Sequence, residues 1–466
     1  MVRGGSLVTE LNPRIFREYD IRGLVGEDLT QKNVYRLGLA YGTFLVGRGV
    51  KQAVVGRDCR LSSFAYSQAI TDALVATGID VLDIGMVTAP VFYFARLKHG
   101  IEGGVMVTGS HNPPEFNGFK LAGGPDTLYG EAIQDIRRIA DTGEFASGDG
   151  AVGNQDPVPA YVQDIAGRIS LGPRKVRAVV DAGNGASGPV VRKVFEAVGA
   201  SFEEMYFEPD GRFPHHHPDP TQKENIEDLA KRVVDVEADL GIAFDGDGDR
   251  IGVVDSTGRP VWGDELQTVF WREILEKHPG ALALIEVKCS ESLVETVKRL
   301  GGRTEFTRTG HSLIKARMRE AGALFAGEMS GHMFFRDEHY GYDDAVYAAA
   351  RLLRLLSNAD RGMRALLEDV PKYCSTPEVR VDCPDEDKFG VVREISGKLS
   401  RTNQVITVDG ARVLFPGGWG LLRASNTQPA LVLRAEARTP GELGDIKRVF
   451  EKLLGGFPSV GAIQWD

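Results

Sequence analysis

The chain has 466 residues, of which 42% are hydrophobic and 56 are glycine, and this composition predicts a folded α/β protein of three or four domains. A formal net charge of −10 argues against nucleic acid or acidic membranes as partners. The four cysteines form no C-x-x-C pair, no apolar signal core is present, and no apolar run reaches ~18 residues. We therefore expect a cytoplasmic protein without a zinc site, a disulfide framework or a membrane segment.

Three successive segments of the sequence predict the same order of elements. Each opens with a continuous apolar strand of the kind found in buried, mainly parallel sheets, continues through a helix, and closes with an apolar strand that ends in polar residues. Open α/β sheets bind ligands beyond the carboxyl ends of their strands, so we expect the three polar clusters to face one central cleft. The clusters are TGSHN at 108–112, DGDGDR at 245–250 and EMSGH at 328–332.

The sequence after Pro371 follows a different pattern. Short alternating strands and two helical stretches predict a mostly antiparallel α+β domain, with the polar cluster RASNT at 423–427 between two strands. The predicted fold is therefore α/β, with three similar mixed-sheet domains and a C-terminal α+β domain around a central cleft. The predicted domain boundaries are 1–155, 156–258, 259–371 and 372–466.

The first cluster presents Ser110 and His111 where a strand ends, and Lys120 follows ten residues after the serine. The G-x-S-x-G turn of a hydrolase nucleophile is absent. Taken alone, the segment also fits a capped strand-to-helix turn. If a divalent metal lies nearby, a serine that carries phosphate is a further interpretation, because the metal neutralises charge during phosphoryl transfer.

The second cluster alternates Asp245, Asp247 and Asp249 with glycines that allow a tight turn. Three converging carboxylates form a hard-oxygen site that suits Mg²⁺ or Mn²⁺. An EF-hand is excluded because Arg250 and Ser256 stand where that loop requires Gly and Glu. The alternative is a solvated acidic turn, which does not explain why the acids end an apolar strand beside an arginine.

The third and fourth clusters carry groups that suit a phosphorylated polyol. Glu328 can accept hydrogen bonds from hydroxyls, and His332 can move a proton near neutral pH, although a polar turn carries similar residues. Arg423 can bind a phosphate with two parallel hydrogen bonds, although a surface hairpin can present the same residues. The other side chains of these two clusters are Ser330, Ser425, Asn426 and Thr427.

Two motifs favour other interpretations. Gly183, Gly185 and Gly188 match G-x-G-x-x-G, with acids at 203–204 about 20 residues further on, as an NAD-dependent dehydrogenase would require. The glycines can also serve tight strand–helix packing, and a dehydrogenase would leave the other clusters without a function. A non-catalytic sugar-phosphate sensor explains the third and fourth clusters but not three acids beside a serine.

The histidines at 215–217 are flanked by prolines, which favours a structural loop over a metal site.

In this order and spacing, TGSHNPPEFNGFK, DGDGDR, GEMSGH and RASNTQP resemble the motifs of the α-D-phosphohexomutase superfamily, and most closely its bacterial bifunctional phosphomannomutase/phosphoglucomutase group. The resemblance extends from FREYDIRG to the last helix. It implies reversible interconversion of hexose 1-phosphate and hexose 6-phosphate, for mannose and glucose, through a phosphoserine and a 1,6-bisphosphate intermediate. A phosphoglucosamine mutase is the alternative within the superfamily, although that group usually carries Gln where this chain has Met329.

The resemblance also implies ligands. It implies one Mg²⁺ per chain and either glucose 1,6-bisphosphate or mannose 1,6-bisphosphate as activator and intermediate. We expect sugar phosphates as partners, neither nucleic acid nor membrane, and a monomer or weak homo-oligomer.

The resemblance assigns roles residue by residue. Ser110 resembles the phosphoserine and a metal ligand, together with Asp245, Asp247 and Asp249. Glu328 and Ser330 resemble the residues that bind the 3- and 4-hydroxyls of the sugar. The residues that bind the non-reacting phosphate in the family resemble four residues here, which are Arg423, Ser425, Asn426 and Thr427. The further catalytic positions are His111, Lys120, Arg250 and His332, with Lys120 and His332 as candidates for general acid or base. The further substrate-binding positions are Tyr19, Arg22, Lys288 and His311.

Overall fold

The structure is a computed structural model that describes residues 11–426 and 428–465. These residues fall into two compact units. The first unit contains the residues up to Trp262 together with Ser330–Phe334 and Tyr342–Ala365. The second unit contains Gly263–Met329, Phe335–Gly341 and the residues from Leu366 onward.

The first sheet of the first unit has six strands and carries Ser110 just beyond one of them. Its strands are β1 (Ile21–Leu24), β2 (Gln52–Arg57), β3 (Asp80–Met86), β4 (Gly103–Val107), β5 (Phe116–Gly123) and β6 (Val152–Asn154). Their order is β1-β5-β4-β2-β3-β6, and only β1 and β5 make antiparallel pairs. Strand β4 reads GGVMV and is buried throughout, as expected of a central strand covered on both faces.

The second sheet of the first unit has five strands and leads into the three aspartates. Its strands are β7 (Arg177–Asp181), β8 (Ser201–Met205), β9 (Leu240–Phe244), β10 (Ile251–Asp255) and β11 (Pro260–Val261). Their order is β11-β10-β9-β7-β8, with β7, β8 and β9 parallel and the other two pairings antiparallel. Strand β9 is also buried throughout, and the acidic loop begins at its carboxyl end.

The second unit contains a parallel arrangement followed by an antiparallel sheet. Strand β12 (Leu282–Glu286) pairs in parallel with β13 (Arg303–Thr307) and with β14 (Phe325–Gly327). The short β15 (Met333–Phe335) comes later in the chain, and only its last residue belongs to this unit. The antiparallel sheet has the order β16-β21-β20-β19-β18, with β17 also paired to β21. Its strands are β16 (Cys374–Ser375), β17 (Val379–Asp382), β18 (Val405–Ile406), β19 (Ala411–Phe415), β20 (Gly418–Ala424) and β21 (Ala430–Ala437).

Helices pack against these sheets and close the cores. In chain order they are α1 (Gln31–Gly47), α2 (Ser63–Ala76), α3 (Ala89–His99), α4 (Glu131–Thr142), α5 (Val158–Arg168), α6 (Gly188–Val198), α7 (Glu227–Asp235), α8 (Gly263–Lys277), α9 (Glu291–Arg299), α10 (His311–Ala321), α11 (Ala345–Asn358), α12 (Met363–Leu366), α13 (Asp385–Leu399) and α14 (Pro440–Leu454), with short 3₁₀ helices at Pro13–Ile15 and Lys223–Ile226. None of the described helices is long and apolar enough to cross a membrane.

The predicted fold class is confirmed in its elements. Three α/β regions precede a C-terminal region whose strand pairs are antiparallel and whose core residues come from both its sheet and its two long helices. The clusters predicted at strand ends lie there, because Ser110 follows β4, Asp245 follows β9 and Glu328 follows β14. The fourth cluster begins inside β20, because its first residue, Arg423, is the next-to-last residue of that strand. The exact domain boundaries stay a prediction.

Candidate functional site

Ser110 lies in a sharp turn just beyond β4 and is buried. Its φ of +48° is in the left-handed region, which a residue with a side chain rarely adopts and which is typical of functional turns. The backbone N–H of Ser110 donates to Oγ1 of Thr108 at 2.8 Å. Its hydroxyl lies 2.8 Å from Oδ2 of Asp245 and 3.2 Å from Nδ1 of His111. The turn therefore aims the hydroxyl at the acidic loop.

A buried ion pair that the sequence analysis did not predict holds the loop that carries Ser110. This loop, residues 108–115 between β4 and β5, is called the serine loop below. The Asp58 carboxylate lies 3.2 Å from Nε of Arg60 and accepts a hydrogen bond from the N–H of Gly109. The Arg60 guanidinium donates to backbone carbonyls in this loop and at the start of β5. Those carbonyls belong to Ser110, Asn112, Pro113 and Phe116. The charged run Arg-Asp-Cys-Arg at 57–60, which begins with the last residue of β2, was the signal in the sequence, and the pairing of β2 with β4 that brings the run to this loop is seen in the structure.

The three predicted aspartates converge in the loop after β9. Asp245, Asp247 and Asp249 are fully buried, and one carboxylate oxygen of each lies within 4.8 Å of the others. Oδ1 of Asp245 accepts the backbone N–H groups of Asp249 and Arg250, each at 3.1 Å. The loop also approaches the serine turn, since a Cβ at Gly246 would lie 2.5 Å from the carbonyl oxygen of Ser110. Glycine is therefore needed there.

Lys120 supplies a buried cation to the acidic loop. It lies on β5, and its Nζ donates to Oδ2 of Asp247 at 2.7 Å and to Oδ2 of Asp249. Burial by itself would lower the pKa of Lys120, but the two carboxylates outweigh it and raise the pKa well above the ordinary value of lysine. The side chain of Lys120 therefore stays protonated in this arrangement.

The acidic loop fits a divalent cation. Within the described residues, Oδ1 of Asp247 and Oδ1 of Asp249 are buried without a hydrogen-bond partner. Burial, together with the two neighbouring carboxylates, also raises the pKa of Asp245 well above its ordinary value. Three buried carboxylates with one lysine carry excess negative charge, which is costly unless a further cation is bound. Oxygen-only ligands are the set that Mg²⁺ prefers.

Arg250 and His332 form a hydrogen bond close to Asp249. Nε of Arg250 donates to Nε2 of His332 at 3.0 Å. A guanidinium nitrogen only donates, so Nε2 of His332 accepts and the ring proton lies on Nδ1. That Nδ1 is 3.2 Å from Oδ2 of Asp343 and 3.5 Å from Oδ1 of Asp249. Asp343 is fully buried and was not predicted; the adjacent acids Asp343 and Asp344 before α11 were its signal.

Four further predicted residues belong to the first unit, and two of them, Arg22 and His111, contact the loop that carries Ser110. Arg22, on β1, donates to Oδ2 of Asp20 at 2.7 Å and to Oδ1 of Asn112 in the serine loop at 2.8 Å. Burial and the nearby Arg250 guanidinium lower the pKa of His111 well below its ordinary value. Tyr19 is half-buried before β1, and Ser330 is half-buried before His332.

In the second unit, Glu328 and Lys288 lie at the ends of parallel strands. Glu328 is buried beyond β14, and its Oε1 accepts the N–H of Gly310 at 2.7 Å. Nζ of Lys288, beyond β12, lies 2.8 Å from Oε2 of Glu378 and 4.0 Å from Oε1 of Glu286. Burial opposes both charges of the first pair, but Lys288 outweighs it and lowers the pKa of Glu378 to about 2. His311, at the start of α10, has its Nδ1 3.3 Å from Nζ of Lys315.

The RASNT cluster is held by buried charges. Nε of Arg423 donates to Oδ2 of Asp409 at 3.0 Å. Nζ of Lys388 donates to the backbone carbonyls of Ser425 at 2.7 Å and Gln428 at 3.0 Å. Asn426 is half-buried, and its Nδ2 has no hydrogen-bond partner among the residues that the structure describes. Thr427 lies outside the described residues.

The structure argues against the dehydrogenase interpretation. In the glycine-rich turn after β7, successive N–H groups already donate within the protein, that of Gly185 to the carbonyl of Ala182 and that of Ala186 to the carbonyl of Gly246. A Cβ at Gly188 would lie 2.1 Å from the carbonyl oxygen of Phe207. The turn therefore serves packing and does not offer its N–H groups to a pyrophosphate.

The histidines at 215–217 are placed as a structural loop requires. Nδ1 of His215 lies 2.7 Å from Oδ1 of Asn184, and Nε2 of His216 lies 2.9 Å from Oδ2 of Asp181. The three rings thus do not combine as ligands in any metal-binding group within the described residues.

The chain matches four protein-family models in succession. All four describe phosphoglucomutase/phosphomannomutase. They are alpha/beta/alpha domain I at residues 13–147, domain II at 159–258, domain III at 262–373 and the C-terminal domain at 378–453.

Individual relatives extend along nearly the whole chain. A phosphomannomutase/phosphoglucomutase of Pseudomonas aeruginosa is 44% identical over 441 residues, which cover 94% of this chain and 95% of that protein. A crystal structure of a phosphoglucomutase/phosphomannomutase family protein from Burkholderia thailandensis has a TM-score of 0.90 at 39% identity and covers 97% and 99% of the two chains. A probable phosphoglucosamine mutase of Methanopyrus kandleri is 35% identical over 450 residues, covering 95% and 98%.

Proposed function

The chain belongs to the phosphoglucomutase/phosphomannomutase family of phosphohexomutases, and from this premise we propose that it interconverts the 1-phosphates and 6-phosphates of glucose and mannose through a phosphoserine at Ser110. One observation carries the assignment of the serine. Its buried hydroxyl lies 2.8 Å from Asp245, inside a group of three buried carboxylates and one lysine. This arrangement suits phosphoryl transfer, in which positioning and charge neutralisation supply most of the catalysis.

The reaction consists of two transfers that balance. In the first, the free hydroxyl oxygen of a hexose monophosphate attacks phosphorus on phospho-Ser110. The new O–P bond forms, the Oγ–P bond breaks, the sugar hydroxyl loses its proton to a base, and the released Oγ takes up a proton. In the second, the resulting 1,6-bisphosphate lies in the opposite orientation. The hydroxyl of Ser110 loses its proton to a base as Oγ attacks the other phosphorus, the sugar O–P bond breaks, and the released sugar oxygen takes up a proton.

The residues around Ser110 divide this chemistry between them. Asp245, Asp247 and Asp249 would hold Mg²⁺ together with Ser110, and the ion would neutralise charge on the transferring phosphoryl group. Lys120, which its two carboxylate neighbours keep protonated, donates hydrogen bonds and can return a proton to the oxygen that leaves phosphorus. His332 accepts at Nε2 from Arg250 and carries its proton at Nδ1, which faces the carboxylates of Asp343 and Asp249, so the proton that it can give up is the one on Nδ1. We assign His111 and Arg22 to the phosphate on the serine loop.

The remaining polar groups bind substrate. We assign Glu328 and Ser330 to the 3- and 4-hydroxyls of the sugar. The non-reacting phosphate is bound by the RASNT cluster, which comprises Arg423, Ser425, Asn426 and Thr427. Further contacts come from Tyr19, Lys288 and His311. Glucose 1,6-bisphosphate or mannose 1,6-bisphosphate serves as activator. The predicted domain boundaries and the cytoplasmic location stay part of this proposal.

Phosphoglucosamine is the alternative substrate, because one relative with that name is 35% identical to this chain. The third motif argues for the neutral sugars. Met329 has its sulfur 2.7 Å from Nη1 of Arg434, and a thioether beside a guanidinium offers no strong acceptor to an ammonium group.

Mass spectrometry and a coupled assay test the proposal together. Peptide mapping of the purified protein should place an added ~80 Da on the peptide that contains Ser110, the mass of one phosphoryl group. With glucose 1,6-bisphosphate and Mg²⁺ present, glucose 1-phosphate and mannose 1-phosphate should both yield their 6-phosphates. Turnover of glucosamine 1-phosphate alone would select the alternative, and no turnover of any of the three would overturn the function.

A further inference from the structure

We propose that Asp409 is a positioning residue that aims the Arg423 guanidinium at the non-reacting phosphate and ties it to the loop that holds Glu328. The inference rests on the proposed function, since it specifies how the phosphate-binding arginine of that function is held. Asp409 belongs to none of the four motifs. It precedes β19 in the sequence VITVDGARV, fourteen residues before Arg423.

Two donors from different parts of the second unit meet on one oxygen of Asp409. Oδ2 accepts from Nε of Arg423 at 3.0 Å and from the backbone N–H of Thr309 at 3.1 Å. The side chains of Arg423 and Asp409 are only 5% and 9% exposed. Hydrogen bonds between charged groups are directional and stronger than neutral ones, and solvent competes little with this pair. Asp409 therefore fixes the direction of the guanidinium plane.

The backbone keeps Asp409 at this place. Gly410 has a φ of +78°, and a Cβ there would lie 2.4 Å from the carbonyl oxygen of Leu422 and 2.6 Å from Cβ of Arg423. Only glycine permits so close an approach of the 409–410 turn to β20. The carboxylate is thus presented by a turn that is packed directly on the strand that carries Arg423.

The Thr309 contact extends the link to the sugar-binding residue. The N–H of Thr309 binds Asp409, and the next N–H along the chain, that of Gly310, binds Oε1 of Glu328 at 2.7 Å. The hydroxyl of Thr309 donates to Oε1 of Glu286, which anchors the same loop a second time. Adjacent N–H groups of one loop therefore hold the carboxylate that positions the phosphate-binding arginine and the carboxylate assigned to the sugar hydroxyls.

Removal of the charge on Asp409 should therefore weaken substrate binding more than chemistry. An arginine binds phosphate with two parallel hydrogen bonds only while its plane has the right orientation. In Asp409→Asn the amide oxygen is a weaker acceptor for two donors, so Arg423 loses its fixed direction. Asp445→Asn, whose side chain is 71% exposed and paired with Arg448, is the matched control.

The experiment uses the full chain and measures both turnover and equilibrium binding. For Asp409→Asn we expect KM for glucose 1-phosphate and the calorimetric Kd for glucose 6-phosphate to rise about tenfold, with kcat reduced less than about threefold. Asp409→Glu, which keeps the charge, should restore part of this loss. In an Arg423→Ala background, Asp409→Asn should lower kcat/KM by less than about threefold, because the arginine through which it mainly acts is gone and only its contact with the Thr309 N–H remains to be weakened.

The outcomes separate this inference from the proposed function. Wild-type protein that binds glucose 6-phosphate but turns over no hexose phosphate would refute the function, while the binding comparison still tests Asp409. An unchanged Kd in Asp409→Asn, or an equal loss of kcat/KM with and without Arg423, would overturn the positioning role. If Asp409→Asn does not fold, Asp409→Glu decides the question through the same binding measurement.

Discussion

The region around Ser110 in the first unit and the region around Arg423 in the second unit hold their charges in different ways. Around Ser110, three buried carboxylates lie close together, and two of them, Asp247 and Asp249, share the single lysine Lys120. Around Arg423, by contrast, the two cations Arg423 and Lys288 each contact a carboxylate directly. Arg423 is paired with Asp409, Lys288 with Glu378, and Glu328 with a backbone N–H.

This difference indicates what each region does. A group of like charges that lacks enough cation is stable only when a further cation binds, and such a site suits a reaction in which charge moves. Balanced pairs are stable without ligand and offer fixed directions, which suits binding that stays the same through the reaction. Changes in the first region should therefore lower kcat, and changes in the second should raise KM.

The largest effect is expected for Ser110→Ala. Loss of the phosphoryl acceptor should reduce kcat at least about a thousandfold, as removal of a covalent nucleophile does in other enzymes. A coupled assay with glucose 1,6-bisphosphate present measures it, and the exposed Ser400→Ala serves as control. If the variant turns over at the wild-type rate, another group carries the phosphate.

Asp247→Asn should have the second largest effect: we expect kcat to fall about a hundredfold and to depend less on the Mg²⁺ concentration. An amide is a poorer ligand for a hard cation than a carboxylate is. The substitution also deprives Lys120 of one of its two carboxylate partners. Activity is measured across a Mg²⁺ titration, with Asp141→Asn, whose side chain is 50% exposed, as the matched control. Wild-type activity that survives EDTA unchanged would mean that the three aspartates hold no catalytic metal.

Arg423→Ala should raise KM for glucose 1-phosphate about ten- to a hundredfold, since a hydrogen bond to a charged group is worth ~1.5–3 kcal/mol. We expect kcat to fall less, because the contact to the non-reacting phosphate is similar in ground and transition states. Steady-state kinetics beside the exposed Arg448→Ala variant distinguish the two parameters. A collapse of kcat at unchanged KM would place Arg423 in the chemistry and erase the contrast between the regions.

The smallest effect concerns the sugar. Glucose and mannose differ at the 2-hydroxyl, for which no residue is assigned, and strong discrimination requires a buried polar group that the wrong substrate leaves unpaired. We expect kcat/KM for their 1-phosphates to agree within about tenfold, or ~1.4 kcal/mol. Galactose 1-phosphate, inverted at the 4-hydroxyl, should be much poorer. A ratio above about a hundredfold between glucose and mannose would require a dedicated partner for the 2-hydroxyl.

The sequence alone determined the features that depend on neighbouring residues. Apolar runs that end in polar clusters predicted strands β4, β9 and β14 and the residues just beyond them, because strand pattern and turn chemistry are local. The convergence of Asp245, Asp247 and Asp249 followed from their spacing within one loop. The motifs also identified the family to which the chain belongs.

The tertiary structure decided which distant residues meet. Arg60 holds the serine loop from fifty residues away, and Asp343 faces His332, although the two adjacent acids of its segment did not indicate which residue they would contact. Asp409 acquires its role only because the turn at Gly410 packs on β20 and Thr309 approaches from another strand end. The glycine-rich turn at 183–188 matched a nucleotide motif locally, yet its N–H groups are used inside the protein. The packing of distant segments determines which partner each buried polar group has, and a local sequence pattern does not specify that partner.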